Sequence, residues 1–265
     1  AAGDFKLNEG FDIDLNLKGF ELEQYFSGYQ YAAENLSGSL AMTGNLSGDL
    51  EEAVFEFQLE GEEVNFADLN IEIADNSLKY NVFQNKILIN NFNFNIDSGQ
   101  YNLSGEVFDL TEEMKSDLKL ELLQVPSRSL ALKFIDFYPL AQELVFSGNL
   151  DINSQGSNYN AEVDLQANTA DNSGAELAIN GNLSQTLNID FEASNLQLDF
   201  NSNQYDFNLN LKSNLDFSGS LEGSINSPVL RLSHQLTQVS INNTGLELIN
   251  GEILVENRRR FSASE

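Results

Sequence analysis

The stretch FDIDLNLKG, Phe11 to Gly19, alternates apolar and polar residues with a period of two. Successive side chains of a β-strand point to opposite faces of the sheet, so this pattern predicts a strand with one apolar face and one solvated face. The same alternation returns along most of the chain, and the polar positions are mainly Asn, Asp, Glu, Ser and Gln. The alternation therefore indicates a chain built almost entirely of strands.

The turn signals between these runs are short clusters of Gly, Asn, Asp and Ser, at spacings that suit an antiparallel meander. The tetrapeptide NLSG occurs three times, beginning at Asn35, Asn45 and Asn102. Repeated copies of one short phrase are typical of stacked, similar strands and not of a catalytic loop. A parallel sheet would need helical crossovers, which the pattern hardly supplies. We therefore predict an all-β fold with an antiparallel sheet, for which three arrangements cover the apolar face: a closed barrel, a sandwich or an open, curled trough.

One segment departs from the alternation. Residues 125–144, VPSRSLALKFIDFYPLAQEL, carry apolar side chains at helical spacing between two prolines. This predicts one short helix near 127–138, which packs on the apolar face of the sheet or, as an alternative, lies on a membrane surface. The chain is then a single elongated segment, 1–265, or two lobes, 1–125 and 145–265, joined by the helical segment 126–144.

The composition excludes several classes of function. The formal net charge is −28, and nucleic-acid binding depends on Lys and Arg that neutralise phosphates, so we expect no nucleic-acid partner. A halophilic or marine source would explain the acidity. Cysteine is absent, which excludes disulfides and thiolate chemistry. No apolar run approaches the roughly 18 to 20 residues of a membrane-spanning helix.

The residues needed for catalysis or metal binding are scarce. His234 is the only histidine, and we interpret it as structural or solvated. No G-x-S-x-G nucleophile turn occurs, and carboxylate pairs such as Asp12 with Asp14 lack the calcium-loop pattern. We therefore predict no catalytic residue, no metal site, no cofactor and no enzymatic activity.

Glycines inside the alternating runs are a further feature. Gly within a strand weakens it unless the chain bends, bulges or is closely approached by another strand. LAMTGNLSGDLEEAVFEF, residues 40–57, and GSLEGSINSPVLRLSHQL, residues 219–236, share the order apolar, x, Gly, x, apolar, followed by a short turn. The positions predicted to bend the sheet are Gly44, Gly105, Gly181 and Gly223.

This scheme resembles the TamB and AsmA-like proteins of double-membraned bacteria. LEGSINSPVL, residues 221–230, is the best match, and YNLSGEV, LVFSGNLDI and ELINGEILVEN are similar pieces at 101–107, 144–152 and 247–257. The resemblance implies an elongated, curled antiparallel sheet with an open groove. It also implies a periplasmic protein of the cell envelope, whose hydrophobic groove conducts phospholipid between the inner and outer membranes. It implies an interior fragment as well. Contacts with the membranes, and with an outer-membrane barrel protein, would then belong to segments outside this sequence.

Lipid conduction requires that the apolar face of the sheet stays partly vacant. An acyl chain exposed to water costs about 0.8 kcal/mol per methylene, and a trough lined by apolar side chains removes most of that cost. The alternatives are a structural or adhesive scaffold with a fully packed core, an outer-membrane barrel and, last, an enzyme. The residues predicted to line the groove are Phe55, Phe57, Leu59, Leu69, Ile71, Ile73, Phe92, Phe94, Ile96, Leu103, Leu177, Ile179, Phe191, Leu198, Phe207 and Leu209.

Overall fold

The structure is a computed structural model that describes thirteen parts of the chain. These are residues 2–6, 10–25, 36–49, 52–66, 69–96, 98–110, 114–127, 140, 143–156, 158–169, 174–201, 210–242 and 244–256. The chain divides into two compact units. Unit 1 contains Ala1–Leu123 and Asp151–Tyr159, and unit 2 contains Gln124–Leu150 and Asn160–Glu265.

Strands make up nearly all of the described chain. They are β1 (Ala2–Lys6), β2 (Gly10–Glu21), β3 (Leu36–Gly48), β4 (Val54–Phe66), β5 (Leu69–Asn81), β6 (Lys86–Ile96), β7 (Gly99–Phe108), β8 (Lys115–Pro126), β9 (Leu144–Gln155), β10 (Asn158–Thr169), β11 (Glu176–Leu183), β12 (Thr186–Asn201), β13 (Asn210–Ser224), β14 (Ser227–Ile241) and β15 (Thr244–Glu256).

All 15 strands belong to one sheet, in which their order is the order of the chain. The pairings given by the registers are antiparallel, for example β3 with β4 and β12 with β13. Among the described residues no pairing returns from β15 to β1, so the sheet is open. The predicted all-β class and antiparallel meander are therefore confirmed.

The predicted helix near 127–138 lies outside the described residues, apart from Ser127 at its start. One short helix that the sequence did not predict, α1 (Leu22–Tyr25), follows β2 directly. The side chain of Leu22 is only 4% exposed, because this single turn packs beside β3.

Bulges interrupt the regular pairing at several points. The register shifts between Ala193 and Leu196 on β12, where Asn195 has a φ of 56°. A second shift lies between Lys212 and Asn214 on β13, opposite Gln238 of β14, whose φ is 53°. An extra residue in one strand reverses the alternation of side chains beyond it. The bulge therefore keeps apolar residues on one face where the apolar positions of the sequence shift by one residue.

Candidate functional site: the apolar face of each unit

The registers place the predicted lining residues of unit 1 on one face of the sheet. Phe57 pairs with Gly44 on one side and with Leu78 on the other, and the same face continues through Ile89 and Gly105. Directly paired residues share a face in an antiparallel sheet, so this face can be followed across the unit. The predicted residues on it are Phe55, Phe57, Leu59, Ile71, Ile73, Phe92, Phe94, Ile96 and Leu103.

The corresponding residues of unit 2 are also brought together. Ile179 pairs with Phe191, which pairs with Gly219, and Gly219 pairs with Leu232. Leu177 and Leu198 lie on the same face, through their pairs Ala193 and Ser213. The backbone of Leu69 belongs to β5, and its side chain lies outside the described part. Phe207 and Leu209 also lie outside the described residues.

Leu78 and Ile89 on this apolar face are buried, but many of its other large side chains are half-buried. All of the predicted lining residues whose side chains are described fall in this class. The chain has 19 phenylalanines, and none of those described has a fully buried side chain. In a tightly packed interior, by contrast, core residues are enclosed on all sides. The apolar faces of both units therefore keep part of their hydrocarbon surface open.

A small part of unit 2 is packed more tightly. Leu144, Ala167, Ala175, Ala193 and Leu196 form a buried cluster. Leu177, one of the predicted lining residues, packs against this cluster. The apolar face is thus filled locally near the start of β9 and β11.

The glycines on the apolar face allow close contact with neighbouring groups. A Cβ at Gly44 would lie 2.8 Å from Cε2 of Phe55, and one at Gly219 would lie 2.8 Å from Cε2 of Phe191. In each unit an aromatic ring therefore covers a strand glycine, an arrangement known to support glycines in sheets.

Three of the predicted bend glycines, Gly105, Gly181 and Gly223, adopt positive φ. Gly105 has a φ of 127°, and a Cβ there would collide with the carbonyl oxygen of Asp117 on the next strand. Gly223 has a φ of 99° and lies beside the turn between β13 and β14. At Gly44 and Gly181, a Cβ would likewise meet the backbone of the next strand.

Asn76 is a polar residue buried on the apolar face, opposite Phe92. Its side-chain Oδ1 accepts a hydrogen bond from the backbone N–H of Leu59 at 2.7 Å, and its Nδ2 donates to the carbonyl oxygen of Leu59 at 2.6 Å. Nδ2 also donates to the carbonyl oxygen of Ala74. The amide thus takes the place of a backbone peptide where the pairing of β4 with β5 is interrupted.

His234 lies on the apolar face of unit 2, between its partners Phe217 and Gly251. The ring covers Gly251, because a Cβ there would lie 2.9 Å from Nε2. Its Nδ1 is buried without a hydrogen-bond partner.

The opposite face carries the charge. Lys79 Nζ lies 3.1 Å from Glu56 Oε1, and Lys86 Nζ lies 2.7 Å from Glu106 Oε1. Exposed ion pairs of this kind contribute about 0–1 kcal/mol each to the free energy of unfolding, so they add little to the stability of the fold. Hollows of about 730 Å³ around Thr43 and about 480 Å³ around Ser218 lie among polar side chains of this face.

Several apolar-face residues were not singled out from the sequence. In KILINN, Ile87 and Ile89 lie on the apolar face, whereas Leu88 faces the other way and pairs with Lys79 and Glu106. The run of three apolar residues hides the period of two. The other residues of these faces follow the period of two, so the alternation alone could have identified them. They are Ile13, Leu15, Leu46, Leu118, Leu120 and Leu232.

Within the described residues, no group of three or more His, Asp or Glu side chains is placed to hold a metal ion. The described helical residues include no stretch long and apolar enough to cross a membrane. Comparison of the chain with protein-family models, with curated proteins and with solved structures found no match in any of the three.

Proposed function

We propose that this chain conducts phospholipid acyl chains along its apolar face. In this proposal it acts in the periplasm of a double-membraned bacterium, between the inner and outer membranes, as a piece of a TamB or AsmA-like protein. Its partners are phospholipids and, through other segments, the two membranes and an outer-membrane barrel protein. No cofactor or enzymatic step is involved.

The observation that carries the proposal is the partial burial of the large apolar side chains. Phe57, Phe94 and Phe191 retain open surface although their neighbours across the strands are apolar or glycine. One long acyl chain laid on such a surface removes on the order of 10 kcal/mol of unfavourable contact with water. In unit 1, Asn76 is satisfied by Leu59 and Ala74, so its amide offers no unpaired hydrogen-bonding group to hold the cargo. In unit 2, Ser213 Oγ and His234 Nδ1 lack hydrogen-bond partners, but both atoms are buried.

A structural scaffold with a fully packed core is the second candidate. It is favoured by the buried cluster around Leu144 and Ala193, against which Leu177 packs. The two candidates differ in what touches the apolar face, which is hydrocarbon from lipid in one case and protein in the other.

Photo-crosslinking distinguishes the two candidates. A benzophenone amino acid is placed at Phe94, on the apolar face, and in a second variant at the adjacent Asn93, on the opposite face. The protein is expressed with a secretion signal in a double-membraned bacterium, irradiated in cells, purified and examined by intact mass spectrometry. Lipid conduction predicts phospholipid adducts at position 94 and none at 93. Equal labelling at both positions, or no lipid adduct at 94, would overturn the proposal.

A further inference from the structure

The strand ends of unit 1 form two rims, because its strands pair in chain order and run antiparallel. Rim A is the rim at which β3, β5 and β7 end, and it carries the connections 49–53, 82–85 and 109–114. Rim B is the opposite rim, and it carries α1 and the connections 67–68 and 97–98. The two rims differ in the side chains that they expose.

Rim A carries exposed apolar side chains, which we call the apolar tip: Val82 is 41% exposed, Phe83 56% and Met114 51%. Turns are rich in Gly, Pro, Asn, Asp and Ser, so apolar residues are unusual at these positions. Val82 N–H donates a hydrogen bond to the carbonyl oxygen of Ala53 at 3.1 Å. Gly156 N–H donates to the carbonyl oxygen of Met114 at 2.9 Å, so both parts of the tip are fixed to a neighbouring connection.

Rim B of unit 1 is different in its described part. Leu22 and Val64, which lie at this rim, are only 4% and 5% exposed. The described residues of its connections include no exposed large apolar side chain. Leu17 and Leu123 are exposed, but they lie within β2 and β8. Among the described connections of unit 1, exposed large apolar side chains therefore belong to rim A.

Two ion pairs lie directly behind the apolar tip, on the polar face. Lys86 Nζ is 2.7 Å from Glu106 Oε1, and Lys115 Nζ is 2.9 Å from Asp109 Oδ2. Phe108 pairs with Lys86 on one side and with Lys115 on the other, so the Cα atoms of the two lysines are about 10 Å apart. Lys86 Nζ also lies 5.4 Å from the centre of the Phe108 ring. Two cations and two carboxylates thus lie together beside an apolar tip.

This combination matches the headgroup of a zwitterionic phospholipid. Exposed ion pairs are weak, so Lys86 and Lys115 can exchange their carboxylates for a phosphate at little cost. The ammonium group of the same lipid can then pair with the released Glu106 and Asp109. An anionic headgroup has no such ammonium, and the formal net charge of −28 repels it. The site therefore favours a headgroup that carries both charges.

The acyl chains of such a lipid are long enough to pass over the apolar tip. A bilayer core of about 30 Å contains two layers of chains, so each chain spans about 15 Å. Packed sheets lie only about 10 Å apart, which is the thickness of one sheet with its side chains. A chain can therefore reach from the polar face across Phe83 to the apolar face, where Ile87 and Val107 pair.

We propose that rim A of unit 1 is the entry site at which a zwitterionic phospholipid passes onto the apolar face. Lys86 and Lys115 bind its phosphate, Glu106 and Asp109 bind its ammonium group, and the apolar tip contacts its acyl chains. The inference rests on the proposed function and adds to it the class of headgroup and the rim of entry.

Photo-crosslinking tests the rim of entry. A benzophenone amino acid at Phe83 is compared with one at Ser98, an exposed position of rim B, after the purified protein is mixed with vesicles of phosphatidylethanolamine and phosphatidylcholine. Phospholipid adducts are expected at position 83 and not at 98. The variant with benzophenone at Phe94 is the reference for the proposed function. Adducts at 94 without adducts at 83 would refute entry at rim A and leave conduction intact, whereas no adduct at either position would refute conduction.

Charge variants test the headgroup site. The measurement is the initial rate at which the protein takes up phosphatidylethanolamine with a fluorescent acyl chain from vesicles. The double variant Lys86→Gln with Lys115→Gln is expected to lower this rate at least fivefold. Lys212→Gln removes an exposed lysine that is paired with Asp199 in unit 2, so it is the matched control and should leave the rate unchanged. Equal losses in both variants, or uptake of phosphatidylglycerol by the wild type as fast as that of phosphatidylethanolamine, would overturn the proposal.

A variant of the apolar tip tests the contact with acyl chains in the same uptake measurement. Phe83→Ser is expected to lower the rate at least threefold, with circular dichroism to verify folding. Ile225→Ser is the control, because Ile225 is 43% exposed in the short connection between β13 and β14 and no lysine is next to it in the sequence. An equal effect of the two substitutions would contradict the role of the tip.

Discussion

The side-chain amide of Asn76 on β5 forms hydrogen bonds with both backbone groups of Leu59 on β4. It accepts from the N–H at 2.7 Å and donates to the carbonyl oxygen at 2.6 Å. The two strands pair directly between Phe57 and Leu78 and again between Val64 and Ile71, but not in the interval between. The amide of Asn76 spans that interval, so one side chain joins the two halves of a strand pair.

Replacement of Asn76 by Ala is expected to lower the free energy of unfolding by about 1–3 kcal/mol. The change leaves the N–H and C=O of Leu59 without partners in a partly buried position. Urea unfolding followed by circular dichroism measures the effect. Asn90→Ala removes an exposed hydrogen bond to Ser77 and serves as the control, with an expected change within about 0.5 kcal/mol. Equal effects of the two substitutions would contradict the bridging role of Asn76.

Gly105→Ala is expected to lower the free energy of unfolding by on the order of 2–3 kcal/mol. The residue has a φ of 127°, and the added Cβ would collide with the carbonyl oxygen of Asp117. Gly245→Ala is the control, because a Cβ there meets no atom within 4 Å and the backbone is not in the left-handed region. Thermal or urea denaturation of the two variants should separate them clearly, and a Gly105→Ala variant as stable as the wild type would refute the strain argument.

His234→Leu is expected to raise the free energy of unfolding by about 1 kcal/mol, since it removes a buried Nδ1 that has no partner. Leucine is also the residue type that lies on either side of it along the strand, at Leu232 and Leu236. Gln235→Leu, on the opposite exposed face, controls for added hydrophobicity and should have little effect. A loss of stability in His234→Leu would indicate that the imidazole makes a stabilising contact.

Phe57→Glu is expected to lower the amount of phospholipid recovered with the protein several-fold, if the proposed function is correct. A carboxylate on the apolar face removes hydrocarbon contact and introduces a charge that acyl chains avoid. Gln58→Glu adds the same charge at the next residue, on the opposite face, and should leave the lipid unchanged. The readout is mass spectrometry of an organic extract, with circular dichroism to verify that both variants fold.

The alternation of residues was sufficient to predict that the chain forms strands and, within regular runs, which side chains share a face. FDIDLNLKG, for example, places Ile13, Leu15 and Leu17 together, opposite Leu46, Gly44 and Met42 of β3. Local periodicity decides this because a strand reverses its side chains at every residue.

The bulges and the short helix could not be predicted in the same way. Asn195 and Gln238 adopt positive φ within ordinary polar stretches, and no local pattern marks them. The face occupied by His234 depended on the register with β13 and β15, which only the whole sheet defines. The helix near 127–138 remains a prediction, and so do the groove-lining roles of all the residues named for it, including Phe207 and Leu209.

The chain-ordered arrangement of the strands affects how such a protein can be made and how it can evolve. Each strand bonds to the strands that precede and follow it, so a newly synthesised hairpin can dock on the one before it without waiting for distant parts of the polypeptide. For the same reason a gene can gain or lose a hairpin by duplication or deletion while every remaining strand keeps a suitable neighbour. Length then becomes a property that selection can adjust in steps of two strands.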